Sequence, residues 1–99
     1  MTTDPLRMPV LLSLQRALLG EVFPALVAVC VSWSERAIRI RWFVDPPISD
    51  DNRESVSSVE TEVLADFPVG VLVESEILPT INYDRQSEPG ACVYARRAP

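Results

Sequence analysis

The chain has no histidine and no lysine, and these absences remove several chemistries at once. Without an imidazole there is no Ser-His-Asp or Cys-His nucleophile and no histidine metal ligand. Only three glycines occur, Gly20, Gly70 and Gly90, spread far apart, so no phosphate-cradling glycine loop can form. Apolar runs are short as well. The stretch from Val22 to Trp33 is interrupted by Pro24 and falls below the roughly 18–20 residues a membrane helix needs. Cys30 and Cys92 are the only thiols, each inside an alternating apolar segment. They read as small reduced residues on strands, with a disulfide between neighbouring strands as the alternative. Met1-Thr2-Thr3-Asp4-Pro5 puts an acid where a leader would be basic. The expectation is a cytoplasmic protein without membrane association.

What the chain does have is acid in one place. Nine of its fourteen carboxylates lie between Asp45 and Glu76, opposed there only by Arg53, so the segment carries −8 while residues 1–44 carry +2 and residues 77–99 carry +1. A local field of one sign suits the capture of a basic partner better than turnover of a substrate. The same charge disfavours nucleic acid, since an acidic domain repels phosphates. At 99 residues the chain is expected to form a single domain, residues 1–99, that buries roughly 65% of its unfolded surface.

Hydrophobic periodicity gives six elements. A helix is predicted from Pro9, with Leu11, Leu14, Leu18 and Val22 recurring at spacings of three and four and Leu12 and Leu19 widening the stripe, until Pro24 breaks it. Leu26 to Trp33 reads as a strand with Val27, Val29, Val31 and Trp33 on one face. A short bend leads to a second strand, where Ile38, Ile40, Trp42 and Val44 alternate with Arg39, Arg41 and Phe43. Asp45-Pro46-Pro47 ends it. Ser49, Asp50 and Asp51 all suit the cap of a second helix, Asp51 and Glu54 have capping-box spacing, and Val56, Val59 and Val63 form its buried stripe. A third strand follows over Val71 to Leu78, and a last one over Ala91 to Arg96. The fold class is α+β, a two-layer sandwich in the order αββαββ, with a four-stranded sheet and both helices on one face. On the open face the pattern places Arg39, Arg41, Glu74, Glu76, Tyr94 and Arg96, with strand order undetermined. Ile40 and Val59 are core in this reading; Arg39 and Glu74 are not.

No catalytic residues, cofactor site or metal site is expected. Asp50, Asp51 and Glu54 lack the alternating ligands and glycine turn of a calcium loop and are better read as helix-capping acids. Glu60 and Glu62 diverge, being two apart on a helix. Glu74 and Glu76 share one side of a strand, where they can pair with Arg39, Arg41 or Arg96 or join the acids of the second helix. The candidate partner-binding surface is therefore Asp50, Asp51, Glu54, Glu60, Glu62, Asp66, Glu74 and Glu76.

The stretches Leu11–Val22 (LLSLQRALLGEV) and Val59–Phe67 (VETEVLADF) resemble a group of small acidic bacterial proteins. That group includes immunity proteins of contact-dependent growth inhibition and related polymorphic toxin systems. The resemblance spans about residues 8–96. It implies a non-enzymatic cytoplasmic protein that binds and blocks a cognate toxin domain delivered by a neighbouring cell, often a nuclease. A nuclease holds a polyanion and is basic around its site, so an acidic inhibitor can occupy it quickly; Tyr83, Tyr94 or Ile48 could supply the apolar anchors that tight binding needs. The alternative is a small homodimerising structural or regulatory domain, self-associated through the sheet face or a sheet edge.

Overall fold

The computed structural model describes residues 4–96; Met1 to Thr3, part of the stretch read above against a leader, lie outside the described residues. The order is α1 (Arg7–Ala17), β1 (Leu26–Trp33), β2 (Ala37–Val44), α2 (Asp50–Ala65), β3 (Leu72–Pro79), a 3-10 turn at Thr80–Asn82, and β4 (Ala91–Ala95). The expected αββαββ sandwich is present. Its sheet is mixed, in the order β3-β2-β1-β4, with β2 and β3 parallel and the other neighbours antiparallel. The parallel pair follows from chain economy, because α2 is the crossover that returns the chain to the same end of the sheet.

One core lies between the helices and the sheet. Val10, Leu14, Ala17 and Leu18 from the α1 region and Val56, Val59 and Val63 from α2 meet Leu26, Val29, Val31, Ile38, Ile40, Trp42 and Val44 of the sheet. Trp42 is wholly buried and its indole N–H donates to Ser75 Oγ at 3.3 Å, so its one polar atom is satisfied. Ser13, the one buried polar residue among the described residues, donates its hydroxyl to Asp66 at 2.7 Å and thereby ties α1 to the end of α2.

Several local expectations are corrected. Helix α1 begins at Arg7, two residues before Pro9, because proline is tolerated in a first turn whose N–H groups have no partner anyway. It also stops at Ala17, well before Pro24; a turn with Gly20 at φ +80° ends it, and Val22 is left exposed. The second helix is capped by Ser49, whose hydroxyl accepts from the Asn52 N–H at 3.1 Å, and not by an Asp51–Glu54 box. In β1 an irregularity between Leu26 and Ala28 shifts Val27 off the face of Val29 and Val31 and onto the opposite side, beside Ala28, Cys30 and Phe43. A second irregularity in the β1–β4 pairing sets Tyr94 opposite Val29, so Tyr94 packs into the helix-side core and is not on the open face.

The sheet's other face is only half open. Phe43, expected to be wet, is fully buried in a small cluster with Ala28 and Cys30, and Tyr83 leans over it with ring centroids 4.9 Å apart. The polar segment 80–90 is thus a cover and not a free loop. Arg41 holds it from below, donating to Glu88 at 2.9 Å, and the Glu88 side chain is only 6% exposed. Gly90, at φ +80°, lies so close to β1 that a Cβ there would collide with the Val31 carbonyl. Cys30 and Cys92 stand opposite each other across β1 and β4 and are joined in a disulfide, which corrects the reduced-thiol expectation. Their 62-residue separation closes a long loop, and in the chain-entropy view such a bridge stabilises by narrowing the unfolded ensemble.

Candidate partner-binding surface

The acidic segment folds into three environments, and they differ in what the carboxylates are free to do. Asp45 is structural. It accepts the Thr80 hydroxyl at 2.6 Å and an Arg96 guanidinium at 3.0 Å, which hold its carboxyl below the usual carboxylate range and fasten the end of β2 to the chain beyond β4. Arg96 spends its other nitrogen on the Pro24 carbonyl at 3.0 Å, so it belongs to this clasp more than to the open face.

Glu74 and Glu76 lie on the open sheet face, opposite Arg39 and Arg41 in the β2–β3 register. Glu74 is 3.5 Å from Arg39, and Glu76 is 3.9 Å from the Arg41 Nε, an ionic contact without a hydrogen bond. Such cross-strand pairs offset each other's field. They also lie on the side of the sheet away from α2, so these two acids do not join the helix acids in one surface.

The remaining six candidates lie on or just after α2. Asp50 and Asp51 occupy its first turn, where the positive end of the helix dipole favours negative charge. At 100° per residue Asp51 and Glu62 fall on the flank toward α1, Glu54 lies opposite the buried stripe, and Glu60 falls on the far flank. Glu62 lines the groove between the helices together with Ser13, Arg16 and Asp66, and Glu54 and Glu62 bound a shallow depression on the outer face with Ser57, Ser58 and Thr61. Asp66 is engaged by Ser13 and by Arg16 at 3.5 Å. Among the described residues, Asp50, Asp51, Glu54, Glu60 and Glu62 have no base within ion-pair distance. Glu60 and Glu62 stand in the half of α2 where the helix dipole is negative, and no basic residue occupies its last turn. Glu62, in the last turn, opposes helix stability, and Glu60 lies far from the first turn, so capping accounts for neither.

Each of the anchors suggested by sequence is half-buried and packed within the chain. Tyr83 covers Phe43, while Tyr94 and Ile48 pack on the main core. The exposed large apolar residues are others, among them Met8, Leu12 and Leu19 near α1 and Leu64, Val69 and Leu72 around the α2–β3 connection. Sequence periodicity had assigned Leu12 and Leu19 to the buried stripe. The signal that marks the second group is the run Phe67-Pro68-Val69 beside Gly70, a turn with more apolar surface than a turn needs.

Among the described residues no helix is long and apolar enough to cross a membrane, and no three acidic or thiol side chains converge to hold a metal ion. These features define the class: a small α+β sandwich whose second helix carries acids without an ion-pair partner among the described residues. The family comparison gives that class its name: the model of the MafI2 immunity protein matches residues 7–98. The chain belongs to the MafI2 immunity protein family. No curated protein matches its sequence.

Proposed function

We propose that this chain is a single-domain cytoplasmic immunity protein that binds and neutralises a cognate toxin domain delivered by neighbouring bacteria through contact-dependent inhibition, and that the toxin is a basic nuclease. The observation that carries the reading is the solvent side of α2, where Asp50, Asp51, Glu54 and Glu62 are exposed and Glu60, on the far flank, is half-exposed, all five unpaired among the described residues. Family membership supplies the kind of partner; the charge supplies its sign. A surface evolved only for stability would balance the late acids of α2 with bases. A surface that approaches a polyanion-binding site gains from leaving them free, because the complementary field raises the encounter rate and suppresses wrong partners. The protein acts by occupying the site and needs no catalytic group of its own.

The homodimer alternative has less support. Of its two routes, the sheet face is partly covered by residues 80–90 and otherwise carries Arg39, Arg41, Glu74 and Glu76 already paired within the chain, which leaves the edge strands β3 and β4. The functional test is protection. Cells expressing the toxin domain encoded beside this gene should stop growing, and co-expression of the chain should restore growth. Unchanged toxicity at equal expression of the folded chain would remove the reading.

A further inference from the structure

Charge sets how fast a partner arrives, but tight binding needs a dry centre where a side chain is enclosed. One place among the described residues offers it. At the end of the sandwich that carries the β1–β2 bend, Leu6, Val10, Ile38, Phe67 and Val71 enclose a pocket of about 130 Å³. Val10 and Ile38 are core residues. Ser34 and Glu35, both exposed, complete the lining. Glu35 has no base within ion-pair distance among the described residues. Arg7, which follows Leu6, stacks over Trp33 with its guanidinium 6.0 Å from the ring centroid. The pocket also adjoins the carboxyl end of α2, since Phe67 and Pro68 in its wall come directly after that helix; terminal carbonyls there favour a positive charge.

Three features therefore coincide: an enclosed apolar lining, an unpaired carboxylate and the negative end of a helix. An aliphatic side chain would use only the first. A long basic side chain uses all three, because its methylene stem packs on apolar surface while its cation stays at the wet rim. Resting on the toxin-binding reading above, we propose that this pocket receives a lysine or arginine side chain of the basic partner protein, with its stem against Val10, Ile38 and Val71 and its cation beside Glu35. The partner then lies across the hairpin end of the sandwich and the adjoining acidic face of α2.

The two regions should be distinguishable by kinetics, because the spread charge of α2 acts on association, whereas the Glu35 pair, exposed in the free chain and covered once the partner seats its side chain in the pocket, acts on dissociation. Surface-immobilised toxin domain, from the gene beside this one, would be the probe for full-length chains. Glu35→Gln should raise the dissociation rate about tenfold while changing association less than about threefold. Ser34→Trp, which caps the pocket from its exposed rim, should do the same. Gln86→Lys changes the net charge by the same amount as Glu35→Gln at a distant exposed position and should leave dissociation unchanged. Thermal melting of each variant checks the fold, and Glu35→Gln, an isosteric change at an exposed residue, keeps the test valid if the tryptophan variant misfolds. Parent-like dissociation for Glu35→Gln, with the parent binding the toxin, overturns the pocket assignment alone. Absence of binding by the parent overturns the toxin reading and this assignment with it.

Discussion

Replacing Trp42 with alanine is expected to lower stability by about 3–5 kcal/mol, the range for emptying a large aromatic site in a core. That is a large part of the roughly 5–15 kcal/mol by which a domain is stable at all. Trp42 has no exposed surface and sits in β2, between β1 and β3, with both helices on its side of the sheet. Its loss would leave a cavity at the centre of the layer and strand Ser75 without its indole donor. Ile40, equally buried on the same face, should cost about 2–5 kcal/mol as alanine. Glu74→Ala should cost well under 1 kcal/mol, because its pair with Arg39 is exposed on both sides. Urea denaturation of the three variants checks the phase of the sheet: comparable losses for Trp42 and Glu74 would contradict it.

The second large effect concerns binding kinetics. Glu54→Lys, Glu60→Lys and Glu62→Lys combined should slow association with the toxin domain at least about tenfold at low salt and flatten its salt dependence. Folding should survive, since none of the three is ion-paired among the described residues and Glu62, in the last turn, opposes the helix dipole. Gln15→Lys with Gln86→Lys, both at exposed positions, should leave association near the parent rate. Stopped-flow mixing over a range of salt reads the difference. Parent-like association by the triple variant would reduce the acids of α2 to a solubility feature.

The parts of the fold that sequence made legible are those governed by local periodicity. The period of two through Ile38, Ile40, Trp42 and Val44 and the 3-4 spacing of Val56, Val59 and Val63 both predict the faces that the structure buries. Apart from the ends of α1 and the cap of α2, what sequence missed was decided by pairing between distant segments. The Cys30–Cys92 bridge exists because β4 runs beside β1, a neighbour relation that no local pattern carries. Tyr94 and Val27 changed faces through single-residue register irregularities, which reverse the alternation from that point on. Phe43 looked exposed because its cover, the segment holding Tyr83 and Glu88, comes from far along the chain.

The candidate site divides on the same principle. The unpaired acids of α2 were visible as composition, and Glu74 and Glu76 were visible as a pair on one strand side. Their separation onto opposite faces depends on β3 pairing with β2 below the helix layer. The pocket beside Glu35 was not visible at all. It needs the start of α1, the β1–β2 bend and the α2–β3 connection brought together.

The proposed capture of a basic toxin by this acidic sandwich is tested most directly by calorimetric titration of the purified chain into the toxin domain encoded beside its gene. The expected result is a one-to-one complex whose affinity falls as salt is raised, as an interface steered by the free carboxylates of α2 requires. A folded chain and a folded toxin that give no complex at low salt, or a complex indifferent to salt, would contradict it.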